Sequence, residues 1–317
     1  MKMALLSFDG IDPRVIYKNR DELDAFDKLI EQSVHGEWKT PGHTIPSYIA
    51  TLTGKPYPEH NFYWDVNEGG FARHRQVSTN YLWELIDASM TLLNIPVLYP
   101  PESIDDCMVC GMLTPDNVAE QNLALPPEAQ DILNDIGYIH EVRADKKFNE
   151  LGADRMYDRL CDAMDKRVTA AELLIDEYNS DIFYGVWTAP DRWFHRQHVN
   201  DVNYYKMYKK ADSILDDMLD IVPDEIPIVA FSDHGFAHFP DDVPASMGHM
   251  TEGWYAIRKQ SLPSYRDDSA SLYDLFPTVV NYFDGETPEF TKGKILFHND
   301  EDNQQVKDRL DDLGYLE

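Results

Sequence analysis

Six side chains of types that hold metal ions stand out in this sequence: Asp9, Asp191, His195, Asp233, His234 and His249. Carboxylate oxygen and imidazole nitrogen in mixed sets are donors that Zn²⁺ accepts, usually with one of four positions left for water or a ligand. Asp191 and His195 form a D-x-x-x-H. On one helical turn their side chains share a face and can grip a single ion. Asp233 and His234 are adjacent, so a strand would point them apart, whereas a loop lets them reach different ions, or one ion from two sides. Each piece also has a plainer reading. A D-x-x-x-H is often a surface pair on a helix, and Asp-His-Gly after a strand is often a turn. His198 and His238 compete for the ligand role and are read as surface or outer-sphere residues.

A hydroxyl nucleophile is sought in the segment 41–54, PGHTIPSYIATLTG. Pro46 suits the first turn of a helix but not its interior. Thr44 is therefore expected just before a helix that starts near Pro46. There, unpaired backbone N–H groups and the helix dipole favour an anion such as phosphate. The alternative is that Thr44 is an ordinary helix N-cap.

These residues need elements to hold them. Short apolar runs predict strands at 4–8, 95–99, 182–187, 226–231 and 254–257. Amphipathic runs predict helices at 21–32, 47–52, 80–93, 154–178, 202–221 and 271–283. Alternating strands and helices imply an α/β architecture, a largely parallel central sheet flanked by helices on both faces. Ligands of such sheets bind at the carboxyl ends of the strands. Three of the predicted strands run into an aspartate at or just after that end, Asp9, Asp191 and Asp233, and two of these have a histidine at hand. The segment 100–149, rich in Pro and Asp with little periodicity, reads as an excursion near the sheet edge within one 1–317 domain.

Composition narrows the choice. The 317 residues include 57 acidic and 28 basic side chains, a formal charge of −29. The acidic residues are spread along the chain, which suggests a solvated acidic surface of the kind found in high-salt cytoplasm. Such a field argues against wrapping a nucleic-acid backbone. A small anion is admissible if metal ions reverse the field locally. Three cysteines, Cys107, Cys110 and Cys161, suit a reducing compartment. Cys107 and Cys110 make a C-x-x-C without the second pair that a zinc knuckle needs, so they read as small loop residues. The apolar run after Met1 is too short for a signal-peptide core, and nothing approaches a membrane span, so the chain is expected to be soluble and cytoplasmic.

The order of the motifs resembles the type I phosphodiesterase / nucleotide pyrophosphatase branch of the alkaline phosphatase superfamily, particularly its archaeal members. LSFDG at 6–10 is similar to that family's opening strand and metal-binding aspartate. Thr44 to Gly54, followed by Pro58 and His60, is similar to its T-x-P…TG…P-x-H nucleophile segment. APDRWFH at 189–195 resembles its P-D-x-x-x-H. FSDHG at 231–235, with Gly248-His249 and Gly253, resembles its S-D-H-G and closing histidine. Weaker echoes at 99–101, 111–115 and 275–278 extend the likeness over nearly the whole chain.

The resemblance implies an alkaline-phosphatase-like fold and a phospho-threonine intermediate on Thr44. It implies two divalent cations, expected to be Zn²⁺ with Mn²⁺ as the alternative, acting on a small phosphate ester. One ion falls to Asp191, His195 and His249, the other to Asp9, Asp233 and His234 with Thr44 Oγ. Coordination would acidify a hydroxyl otherwise too weak to attack phosphorus, and ions ~4 Å apart can clamp both attacking and leaving oxygens. Two departures stand out: Asn61 where the family has Gly after His60, and either Asp65 or Asn67 near the place of a phosphate-binding asparagine. A sulfatase would need Cys or Ser and an arginine in C/S-x-P-x-R, which TIPSY lacks. Phosphomonoesterase, phosphoryl transferase and a catalytically silent metal-binding relative remain as alternatives.

Overall fold

The computed structural model describes residues 1–56, 59, 79–115, 122–141, 152–195, 202–236 and 248–299. Pro58, His60, Asn61, Asp65, Asn67, Arg196, His198 and His238 lie outside the described residues.

The strands are β1 (Met3–Phe8), β2 (Ser33–Lys39), β3 (Met90–Ile95), β4 (Asp106–Cys110), β5 (Ala124–Leu125), β6 (Ile182–Trp187), β7 (Ile228–Phe231), β8 (Glu252–Arg258) and β9 (Tyr265–Arg266). They form one sheet in the order β5-β4-β3-β6-β1-β7-β8-β2-β9. The centre, from β4 through β3, β6 and β1 to β7, is parallel. β8 runs antiparallel to both β7 and β2, so β2 points the same way as β7. β1, β3, β6 and β7 are buried at every position. Strands covered on both faces read as unbroken apolar runs, which is why β1 and β6 are legible without alternation.

The helices are α1 (Pro13–Lys18), α2 (Asp24–Glu31), α3 (Thr44–Thr53), α4 (Leu82–Leu85), α5 (Pro127–Asp135), α6 (Ala153–Tyr178), α7 (Ala189–Phe194), α8 (Val202–Ile221) and α9 (Leu275–Tyr282). Successive strand residues point to opposite faces. Phe8 stacks on Trp187 and meets Phe26 of α2, while Ser7 Oγ hydrogen-bonds Tyr48 Oη of α3 at 2.7 Å. α2 and α3 therefore cover opposite faces. α2, α6, α7 and α8 pack together, and α3 packs on α9.

Two expectations fail around residue 90. The predicted helix at 80–93 is a single short turn, α4, followed by β3, and the predicted strand at 95–99 is a turn. Asn94 and Val97 take left-handed backbone (φ 61° and 70°), which ends the strand where apolar content alone would continue it. The run before it is apolar because β3 is buried on both faces, and such a run imitates a buried helix. The described part of 100–149 is not merely a cover: β4 and β5 extend the sheet and α5 packs on α6. Cys107 and Cys110 are likewise not loop residues but buried members of β4, with free thiols. Burial pushes Cys107 up to about 12, so it stays a protonated thiol at neutral pH.

Candidate metal centre and active site

The parallel strands deliver the donors to one edge. β1 pairs Phe8 with Trp187 of β6 and Ser7 with Phe231 of β7, so the three strands end at nearly one height. Asp9 follows β1 directly. After β6, Thr188 leads into α7, with Pro190 and Asp191 in the first turn and His195 as C-cap. The helical spacing expected of the D-x-x-x-H is thus met, and Asp191 Oδ1 lies 3.2 Å from His195 Nε2. After β7 the chain turns through Ser232, which is fixed on three sides. Its hydroxyl donates to Ile11 O at 2.7 Å and accepts from Trp254 N at 2.8 Å, and its carbonyl accepts from Trp38 Nε1 at 2.9 Å. Asp233 and His234 follow in the loop. His249 returns to the same edge through a bridge to Phe236, just before β8.

β2 leads into α3. The helix begins at Thr44 and not near Pro46: His43 is the N-cap in extended conformation, and Ser47 N bonds back to His43 O at 3.1 Å. Pro46 still falls in the first turn, where its missing N–H costs nothing. Gly54 closes the helix in left-handed conformation (φ 66°).

Thr44 Oγ1 lies 3.5 Å from Asp9 Oδ1 and 3.4 Å from His234 Nε2. His234 Nε2 is 3.3 Å from Asp9 Oδ1, 3.6 Å from Asp233 Oδ2 and 3.6 Å from Asp191 Oδ1. His249 Nε2 is 3.2 Å from Asp191 Oδ1 and 2.9 Å from His195 Nε2. The His234 and His249 rings stack at 3.7 Å. All seven residues singled out in the sequence as metal ligands or nucleophile therefore meet. Two groups of donors suit a cation: Asp191, His195 and His249, and Asp9, Asp191 and His234. Asp191 belongs to both. Asp233 is adjacent, with Oδ1 accepting from Gly10 N at 3.3 Å.

The electrostatics say what this cluster lacks. Asp9, Asp233 and His234 are fully buried, and Asp191 nearly so. Burial, then the charges of Asp233 and Asp191, hold the Asp9 carboxyl well above the usual range. Burial raises Asp233 to about 7. Burial also pushes Asp191 upward, but the His195 and His249 imidazoles and the Arg192 guanidinium outweigh it and hold Asp191 well below the usual range. Burial lowers His249 to about 4. Asp9 Oδ2, Asp191 Oδ1 and Asp233 Oδ2 are buried without a hydrogen-bond partner. Three buried carboxylates with orphaned oxygens would be costly unless paired with positive charge. Divalent cations supply that charge, and the oxygen and nitrogen donors are of the right type.

Sequence reasoning missed the residues that support this cluster. Glu141 accepts from Arg192 Nε at 3.0 Å. Arg14, which also pairs with Asp12, donates through Nη2 to Phe236 O at 2.7 Å. Nothing in local sequence marks Glu141, a lone carboxylate in an aperiodic stretch.

The model of the type I phosphodiesterase / nucleotide pyrophosphatase family matches residues 3–273. No curated protein matches the chain. Among solved structures, the fold is similar to murine ectonucleotide pyrophosphatase / phosphodiesterase 5, in an inactive form in complex with AMP. That match has a TM-score of 0.58 at 9% identity, over 94% of this chain and 97% of that one. A variant of the alkaline phosphatase PafA matches with a TM-score of 0.59 at 9% identity, over 93% and 98%. The PsFucS1 sulfatase from Pseudoalteromonas sp. matches at 0.57 and 11% identity, over 88% and 66%. Identities this low express a shared fold.

Proposed function

Since this chain belongs to the type I phosphodiesterase / nucleotide pyrophosphatase family, we propose that it hydrolyses phosphodiester or nucleotide pyrophosphate bonds of small substrates through a phospho-threonine on Thr44. The cations would be Zn²⁺, with Mn²⁺ as the alternative, held by Asp191, His195 and His249 and by Asp9, Asp233, Asp191 and His234. The observation that carries the reading is the place of the Thr44 hydroxyl. It lies at the first turn of α3, within 3.5 Å of Asp9 and His234, beside the buried Asp9 Oδ2, which has no hydrogen-bond partner.

Bound cations would supply acidification of that hydroxyl and neutralisation of the phosphate. The chain's own residues do the rest. The α3 N-terminus offers backbone N–H groups to the phosphate oxygens. Thr44 Oγ1 forms the bond to phosphorus as the alcohol or nucleotide oxygen leaves with the electron pair. Water then cleaves the phospho-threonine, restoring the hydroxyl and releasing the phosphate product. The buried edge excludes bulk water from the attacking oxygen, so the charges around it act in a low dielectric.

Preference for a diester over a monoester is supported by the arginines that touch the site. A monoester brings a second negative charge. Arg192 is engaged by Glu141 and Arg14 by Asp12, so neither guanidinium is spare for it. The acidic composition supports a high-salt cytoplasm as the working environment; no described helix is long and apolar enough to cross a membrane.

The test is Thr44→Ala assayed on a bis-aryl phosphodiester and an aryl monophosphate with Zn²⁺ or Mn²⁺, with acid quench of the wild type to trap the phosphoryl group on Thr44, which keeps one aryl ester when it comes from the diester. The expected outcome is diester turnover in the wild type, a trapped phosphoprotein, and loss of at least about 10³-fold in Thr44→Ala. A variant that keeps full turnover would remove Thr44 from the chemistry. A wild type that binds cations tightly yet turns over nothing would support a silent metal-binding relative.

A further inference from the structure

α7 is six residues long, too short to be stable on its own, yet it carries Asp191 and ends at His195. A residue distant in sequence grips it at two points. Glu141 Oε2 accepts from Thr188 Oγ1, at the start of α7, at 3.3 Å. Glu141 Oε1 accepts from Arg192 Nε at 3.0 Å. The Glu141 side chain is 5% exposed and that of Arg192 24%. Arg192 Nη1 in turn lies 3.6 Å from Asp191 Oδ2, while Asp191 Oδ1 faces the His195 and His249 nitrogens at 3.2 Å. The chain of contact runs from Glu141 through Arg192 to the outer oxygen of Asp191, whose inner oxygen belongs to the donor groups.

The charges make this more than a brace. An arginine in a protein does not lose its proton. Arg192 therefore sets a permanent positive charge beside a carboxylate that is to hold a dication, and unopposed it would weaken that cation by repulsion. Glu141 cancels the charge while leaving the guanidinium in place to orient Asp191. We propose that Glu141 is a positioning residue for the cation site of Asp191, His195 and His249, acting through Arg192. The segment that carries it is then part of the active site. This rests on the two-cation reading above.

The experiment uses the full chain stripped of metal with a chelator and titrated with Zn²⁺ by calorimetry and with Co²⁺ by visible absorption. Wild type, Glu141→Gln, Glu141→Asp and the double variant Glu141→Gln/Arg192→Met are compared, with circular dichroism confirming the fold. The wild type should take up two ions. Glu141→Gln should weaken uptake by about 10- to 100-fold at the ion of Asp191, His195 and His249 and by less at the ion that Asp191 shares with Asp9 and His234, the usual scale for an outer-shell partner of a metal ligand. The double variant should recover part of that loss, because the unopposed charge is gone. A merely structural role would leave the double variant no tighter than the single. If Glu141→Gln does not fold, Glu141→Asp, which keeps the charge on a shorter arm, should lose less than 10-fold but measurably. Unchanged affinity in Glu141→Gln or Glu141→Asp, or a double variant without recovery, would overturn the proposal. A wild type that takes up no cation would instead overturn the two-cation reading itself.

Discussion

Asp191 stands between two donor groups, and that placement decides what its removal does. Its Oδ1 lies 3.2 Å from His195 and His249 and 3.6 Å from His234. Asp191→Ala should therefore weaken both ions and not one alone, with the fold intact. Metal analysis of the purified variant checks this; a clean stoichiometry of one would assign Asp191 to a single ion. Asp233 gives a second handle, in the metal-free chain. Its folded pKa is raised by burial to about 7, against the ordinary 3.8. The native state thus holds a proton that the unfolded chain has already released, so stability falls as pH rises through that window. This one group contributes a slope of at most about 1.4 kcal/mol per pH unit. Melts of the chelated protein at about pH 5 and about pH 7 should differ less in Asp233→Asn than in the wild type. Equal pH dependence in the two would show that Asp233 titrates normally.

Elements hold these residues at the height where they meet. Gly253, at the start of β8, allows a close approach beside the site: a Cβ there would overlap Ser232 O and come within 2.9 Å of Trp38 Nε1. Ser232 O takes the Trp38 indole hydrogen bond and immediately precedes Asp233. Gly253→Ala should cost about 1–3 kcal/mol and shift the Asp233 loop, lowering both the melting temperature and cation affinity. A variant as stable as wild type would show that β8 can give way there. The same elements explain what was legible in the sequence. β1 and β6 were found because each is a short apolar run ending in a residue that cannot continue the pattern. Asp9, directly after β1, was legible for the same reason. β2 was not, since SVHGEWK mixes polar and apolar residues although six of its seven positions are at least partly buried. β3 was mistaken for the end of a helix, because the turn at Val97 depends on backbone conformation and not on hydropathy. Glu141 was invisible because its role comes from a contact 51 positions away.

At the scale of the molecule the sequence already implied an α/β fold with a largely parallel sheet, and the order of the nine strands among the described residues bears this out. The formal charge of −29 is a property of the whole surface. If a high-salt cytoplasm is its setting, added salt should screen self-repulsion, and the melting temperature should climb steadily from about 0.1 M to about 1 M KCl, over which the screening length shrinks from ~10 Å to ~3 Å. A flat or falling trend would remove that setting. The proposed ligands span the chain from Asp9 to His249, contributed by the ends of β1 and β7, the helix after β6 and the approach to β8. Local assembly cannot gather them, so under the proposed function ion capture would report that β1, β6, β7 and β8 have come together. Ions that recognise only the finished protein pull the folding equilibrium toward it, and a chelator works against the fold as a denaturant does. A half-made copy of this chain, with β8 not yet in place, would hold an incomplete donor set.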